Sequence, residues 1–147
     1  MTADLSTFLP YMLAQAAETV SAKFQPYYRE RYGMLRTEWR VLFHLGQYGD
    51  MTAKAICDLA TLHKTKVSRA VRALQQKGFL KRSTSPGDKR AEVLSLTPRG
   101  VAVFEDLSRA ARSFEADLTS DMPEDEVAQL RKTLKRLADG QSTERST

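Results

Sequence analysis

The chain has 147 residues, of which 41% are hydrophobic and 28% charged, and it carries a formal net charge of +5. This composition fits one globular domain, or one domain with helical extensions, large enough to bury a core. One cysteine, Cys57, excludes an intrachain disulfide; no run of about 18 apolar residues and no basic region ahead of an apolar run is present, so a soluble, cytoplasmic protein is expected.

Leu5 to about Arg31 reads as a long helix, because Leu5, Phe8, Leu9, Met12, Ala16, Val20 and Phe24 recur at steps of three and four. Pro26 is expected to kink or divide it. Phe24, Tyr27, Tyr28 and Tyr32 crowd together next, as packing aromatics or as part of a pocket wall. Gly33 interrupts the chain. A second helix follows, capped at or near Thr37, with Glu38 in its first turn and Trp39, Leu42, Phe43 and Leu45 on its apolar side. Gly46 and Gly49 suit its end. Asp50-Met51-Thr52 reads as a short extended piece leading to a cap at Thr52.

Ala53 to about Ala60 is a short helix with Ile56, Leu59 and Ala60 facing inward, and Thr61-Leu62-His63 is a turn. Lys64 to Lys77 is a second helix. Its apolar set Val67, Ala70, Val71 and Leu74 is spaced i, i+3, i+4, i+7, and Gly78 suits a left-handed cap. The period then changes to alternation. Phe79 to Ser83 and Glu92 to Thr97 read as strands, joined by the turn chemistry of Ser85-Pro86-Gly87-Asp88-Lys89-Arg90. Thr97-Pro98 starts a helix to about Ser120 with Val101, Phe104, Leu107, Ala111, Phe114 and Leu118 on one stripe. Asp121-Met122-Pro123-Glu124 signals a last helix lined by Val127, Leu130, Leu134 and Leu137 and ended by Gly140. Residues 141–147 read as a disordered tail.

Two short helices joined by a tight turn, followed by a hairpin, make a winged helix-turn-helix: a mainly α fold with a small β-hairpin wing (α+β). Charge follows that order. Thr61 to Gly100 holds ten of the 23 Lys and Arg but only two of the 18 acids, Asp88 and Glu92, a local balance of 10 − 2 = +8 on a body of 13 − 16 = −3. A surface of this kind favours a polyanion, because neutralised phosphates release counterions. An α-helix fits the major groove of double-stranded DNA when one face anchors it and the other carries polar side chains. Lys64, Thr65, Lys66, Ser68, Arg69 and Arg72 supply that face. Arg90 at the wing tip is the candidate for the minor groove, with Asp88 holding its guanidinium and Lys89 beside it. Lys81 and Arg82, on a strand, are expected to meet backbone phosphates or solvent.

The run KTKVSRAVRALQQKGFLKR, the wing motif Asp88-Lys89-Arg90, and Leu96-Thr97-Pro98-Arg99-Gly100 together resemble the MarR-type winged helix-turn-helix transcriptional regulators over nearly the whole chain. The resemblance implies that Lys64 to Arg72 is the recognition helix and that the first and last two helices build a homodimer reading a palindromic operator. On that reading residues 1–32 and 98–140 form a helical dimerisation region and 33–97 the DNA-binding region. Amphipathic terminal helices beyond a nearly complete winged-helix core point independently to a self-partner. Thr61 stands where the turn often has glycine, and His63 where a capping Asp or Ser is common; His63 either caps the helix or touches a phosphate.

The function expected is a homodimeric repressor, released by a small, aromatic effector lying where the dimer helices meet the reading head. Candidate walls are Phe24, Tyr28, Trp39, Phe43 and His44. Two rivals stand beside it: a redox-responsive regulator using Cys57, against a plain packing role for that thiol, and a winged helix used only to bind protein. No metal-ligand cluster accompanies His44 or His63, and no nucleophile elbow or phosphate-binding glycine loop is present, so neither a metal, a cofactor, nor an enzyme is expected.

Overall fold

The computed structural model describes residues 1–85 and 88–140, with side chains other than those of residues 85 and 88–91. The chain divides into two compact units, Met1–Ala111 and Arg112–Thr147.

The first unit is built around α4 (Lys64–Gln76), whose Val67, Ala70, Val71 and Leu74 are all buried. They pack in one core with Val41, Leu42 and Leu45 of α2 (Arg36–Tyr48), Ile56 and Ala60 of α3 (Ala53–Ala60), and Leu80 and Leu94 of the wing. The strands are β1 (Met51–Thr52), β2 (Leu80–Ser85) and β3 (Asp88–Leu96), forming an antiparallel sheet in the order β1-β3-β2. Leu80 pairs Leu96 and Arg82 pairs Leu94, so these four side chains share one sheet face. That face is apolar at its base and turns polar outward, with a register shift at Thr84/Ser85. The fold is the winged helix-turn-helix that the order of elements predicts.

Local chemistry explains the joints. Thr52 caps α3, its side chain accepting from the Ala55 amide at 3.1 Å. α3 ends on Thr61, which takes a left-handed conformation (φ 53°), and the Arg40 guanidinium donates to the Ala60 carbonyl at 3.0 Å. Burial, and then the neighbouring Arg36, lowers the pKa of Arg40 below the usual arginine value. Thr97 joins the wing to α5 (Pro98–Leu118): its hydroxyl donates to the Gly78 carbonyl at 2.6 Å and accepts from the Gly100 amide at 3.1 Å. Gly100 itself lies against the wing's first turn, where an added Cβ would come within 2.0 Å of the Phe79 carbonyl oxygen. Glu38 in the first turn of α2 is buried rather than merely facing the helix dipole; Lys77 at the end of α4 donates to it at 3.0 Å.

Several expectations are corrected. α1 (Leu9–Tyr32) starts at Leu9, not Leu5, because Asp4 organises a turn that bonds the Ser6 and Thr7 amides, and Pro10 occupies the start of the helix. The helix is not divided at Pro26 but continues to Tyr32. α2 is entered from Leu35 with no side-chain cap, so Thr37 does not cap it. Gly46 lies inside α2, not at its end, and makes room for the Phe104 ring, which a Cβ there would meet at 2.4 Å. Leu59 is 50% exposed, and on α5 the buried positions are Gly100, Val103 and Leu107, with Val101 exposed. The strands run further than expected: Asp88, Lys89 and Arg90 belong to the backbone of β3, not to the loop. Pro86, Gly87 and the tail 141–147 lie outside the described residues.

The last turn of α1 is tied to α5 by Asp106, which accepts from the Tyr32 hydroxyl and pairs with Arg31 at 3.2 Å. The hydrogen bond from Tyr32, more than the nearby arginines, holds the Asp106 carboxyl below the usual carboxylate range. In the second unit, α6 (Glu124–Ala138) opens with Glu124, Asp125 and Glu126 and closes with Lys135 and Arg136, as the helix dipole favours. Its first helical position follows Pro123, which gives no side-chain cap. Arg131 of α6 pairs with Glu115 of α5 at 3.0 Å.

Two substitutions test these joints by thermal unfolding followed by circular dichroism. Gly100→Ala should destabilise the chain by ~2 kcal/mol or more, because a methyl driven into backbone cannot be relieved by a rotamer change. Thr61→Gly should instead raise the unfolding midpoint, since a left-handed conformation costs an L-residue about 1–2 kcal/mol, partly offset by the entropy of glycine.

Candidate nucleic-acid interface

Anchoring α4 by its apolar stripe fixes which way its other side faces. Lys64, Thr65, Lys66, Ser68, Arg69 and Arg72 are all exposed, as the helical period predicts. Among the described residues no ion pair engages Lys64, Lys66, Arg69 or Arg72, so these cations are presented outward without an internal partner. His63 precedes them as the N-cap of α4, its Nδ1 accepting from the Thr65 amide at 3.3 Å. An accepting Nδ1 leaves the hydrogen of a neutral ring on Nε2, so capping and an outward donor coexist at this exposed residue. The two roles offered for His63 are therefore compatible.

The wing continues this surface. β2 and β3 leave the core at Leu80 and Leu94 and run outward to the Ser85–Asp88 pair. The side chains of Asp88, Lys89 and Arg90, with the expected Asp88–Arg90 pairing, lie outside the described residues. Arg82 is exposed, as expected, but it is also tied within the protein. Its Nε donates to Gln75 Oε1 of α4 at 2.9 Å and its guanidinium pairs with Glu92 of β3 at 3.2 Å.

The remaining cations of the basic stretch separate in the same way. Lys77 is held by Glu38, and the Arg99 guanidinium lies 5.5 Å from the centre of the Phe79 ring. Sequence reasoning missed Lys54, which joins Thr52, Ser68, Arg82 and Glu92 around a cleft of about 390 Å³ between the start of α3, α4 and the wing. Its position two residues after the Thr52 cap was the available signal.

Of the five residues expected to line an effector pocket, four are brought together. Phe24 and Tyr28 each lie 5.6 Å from Trp39, Trp39 lies 5.0 Å from Phe43, and Phe43 lies 5.1 Å from Phe104, centre to centre. These rings pack on one another, and Phe24 and Tyr28 are buried. Burial raises the Tyr28 hydroxyl pKa above its usual value, against a hydrogen bond with Trp39 that lowers it. His44 makes its contacts elsewhere, its Nδ1 lying 2.6 Å from the Arg40 carbonyl and its ring 5.9 Å from Tyr48. Beside Tyr28 is a smaller cleft of about 140 Å³ that also involves Glu18, Gln25 and Arg36, with Arg36 paired to Glu18 at 3.0 Å. Arg36 escaped the sequence reading because it looks like an ordinary helix-start cation. Cys57 is half-buried on α3. Among the described residues no group of three His, Cys, Asp or Glu is placed to hold a metal, and no helix is long and apolar enough to cross a membrane.

Comparison with known proteins agrees with this geometry. The family model described as the MarR family matches residues 32–91, which hold α2 to the start of β3. The multiple antibiotic resistance protein MarR of Salmonella typhimurium is 29% identical over 102 residues, covering 69% of this chain and 71% of that protein. Among solved structures, a MarR/EmrR family transcriptional regulator from Acinetobacter sp. ADP1 superposes with a TM-score of 0.85 at 27% identity, covering 96% of this chain and 99% of that one. A MarR family transcriptional regulator from Silicibacter pomeroyi DSS-3 is 30% identical, with a TM-score of 0.80, covering 94% of this chain and 98% of that one. With an anchored helix, an outward cationic face and a wing, and with a MarR family regulator of solved structure matched at 30% identity over 98% of its length, the chain belongs to the MarR family of winged-helix transcriptional regulators.

Proposed function

We propose that the protein is a homodimeric, cytoplasmic repressor that binds a palindromic DNA operator through α4 and the wing. The observation that carries the reading is the exposed row Lys64, Lys66, Arg69 and Arg72 on a helix whose opposite face is fixed in the core. Ser68 and Thr65 stand on the same face, within the part of the helix that a major groove admits. Arg90 is the third residue of β3, after Asp88 and Lys89, a place suited to reaching the adjacent minor groove.

A second copy of the chain is the partner we assign to the apolar faces that each unit leaves exposed. In the first unit these are Leu5, Phe8, Leu9, Tyr11, Met12 and Leu13; in the second they are Leu118, Leu130, Leu134 and Leu137. Apolar runs of this extent are uncommon on monomers. A symmetric pair also fits palindromic DNA, since two linked half-sites multiply a modest single-site specificity.

The effector proposed is a small aromatic acid acting by preferring one separation of the two reading heads over another. Its support is the aromatic cluster of Phe24, Tyr28, Trp39 and Phe43, with Arg36 at the edge of the adjoining cleft. Glu18, the present partner of Arg36, is an exposed carboxylate that a ligand carboxylate can replace. His44 is a weaker candidate than the sequence suggested, because its ring bonds the Arg40 carbonyl. We assign Cys57 a packing role, so Cys57→Ser should leave any oxidant response unchanged, and its loss in that variant would favour the redox reading.

The binding claim is tested with duplexes selected by the wild-type protein from a random-sequence library. Arg69→Ala and Lys66→Ala should each weaken binding about tenfold, and loss of a phosphate contact should lower the slope of log affinity against log salt by about one. Arg90→Ala should weaken binding strongly with the unfolding midpoint unchanged. Equal affinity for all three variants would contradict the assignment of α4 and the wing. In sedimentation, the wild-type chain should run as a dimer and Leu134→Glu as a monomer; a monomeric wild type would remove the homodimer.

A further inference from the structure

We propose that Arg82 is a positioning residue that sets the angle between the recognition helix and the wing, and that Glu92 is retained on a DNA-facing surface for that purpose. The proposal rests on the reading of α4 and the wing as the two DNA-contacting elements. Arg82 pairs in register with Leu94, and Glu92 lies two residues before Leu94, so Arg82 and Glu92 share a sheet face as diagonal neighbours. Leu94 is buried beside α4, and Arg82 stands where that apolar contact ends. From there one guanidinium reaches two elements: Nε to Gln75 of α4 at 2.9 Å, and the terminal nitrogen to Glu92 of β3 at 3.2 Å. It is a side-chain tie between α4 and the wing.

The planar, forked geometry of arginine makes both bonds directional at once, which a lysine ammonium does not reproduce. An exposed pair of this kind adds little to stability, so its effect is on direction. Glu92 supplies the second argument. It is one of only two acids between Thr61 and Gly100, and a carboxylate near phosphate opposes binding by its charge. Orientation of Arg82 gives it a reason to be there. The cation that composition adds to the phosphate-neutralising total is therefore committed within the protein.

The test measures fluorescence anisotropy of the duplex selected by the wild-type protein, titrated with wild type and with Arg82→Ala, Arg82→Lys, Glu92→Ala and Gln75→Ala. Salt is varied up to about 0.3 M, where long-range attraction is screened. The brace predicts that Glu92→Ala and Gln75→Ala weaken binding by about threefold to tenfold at the upper salt, that Arg82→Lys is as weak as Arg82→Ala, and that none lowers the salt slope by the ~1 expected for a lost phosphate contact. The Arg82→Ala, Glu92→Ala double variant should be no weaker than Arg82→Ala alone. A phosphate contact at Arg82 gives the reverse set: Glu92→Ala binds more tightly, Arg82→Lys retains affinity, and Arg82→Ala flattens the slope, any of which overturns the proposal. Glu92 and Gln75 are exposed, so their variants remain informative if Arg82→Ala does not fold. A wild-type protein that selects no duplex overturns the DNA-binding reading beneath the proposal, an outcome distinct from all of these.

Discussion

Burial of one face of α4 is the constraint on which the rest depends. Val67, Val71 and Leu74 are fully or almost fully buried, with Ala70 between them. Each large apolar side chain so buried contributes roughly 1.5–3 kcal/mol, whereas an exposed ion pair contributes about 0–1 kcal/mol. The stripe therefore decides that the helix is held and which side it presents. The polar ties decide smaller matters of angle: Lys77 to Glu38 at the end of the helix, His63 at its start, and Arg82 alongside. Because the stripe fixes the rotation of the helix, every outward position on it inherits a defined direction, and the cationic row follows without further specification.

The basic excess of the middle of the chain is thereby divided. Lys64, Lys66, Arg69 and Arg72 are presented outward; Lys77, Arg82 and Arg99 are engaged with Glu38, Glu92 and Phe79. Formal charge measured on the sequence overstates what faces a phosphate backbone, and Glu92, an acid that looked foreign to the stretch, has a structural partner in Arg82. Glu38 lies outside the stretch in sequence yet compensates one of its cations. Thr97 and Gly100 act in the same spirit at the wing's base, where a hydroxyl bonds two elements and a missing Cβ lets α5 lie against the Phe79 carbonyl.

Most of what was legible in the sequence depends on near neighbours, although two local readings, the helix start at Leu5 and the cap at Thr37, do not hold. The apolar set on α4, the Thr52 and Thr97 caps, the short strand at Met51–Thr52 and the Thr61–His63 turn are all local chemistry, and each lies where its pattern placed it. What was not legible depends on partners distant in the chain. Gly46 reads as a helix stop until Phe104 is seen to fill the space above it. Arg82 reads as a surface cation until two other elements bring Gln75 and Glu92 to it. Leu59 fits the inward period of α3, but that helix is too short to bury a full stripe, and the residue stays exposed. The aromatic run in α1 was rightly grouped, yet only the fold adds Phe104 to it and separates His44 from it.

The account turns on α4 as the element that reads DNA, and a crystal structure of the protein on the duplex it selects tests that most directly. The account predicts two copies related by a twofold axis, α4 of each in a major groove, and the Lys64 to Arg72 face within contact distance of bases and phosphates. A complex in which α4 lies away from the duplex, or in which a single copy binds with no twofold partner, would contradict it.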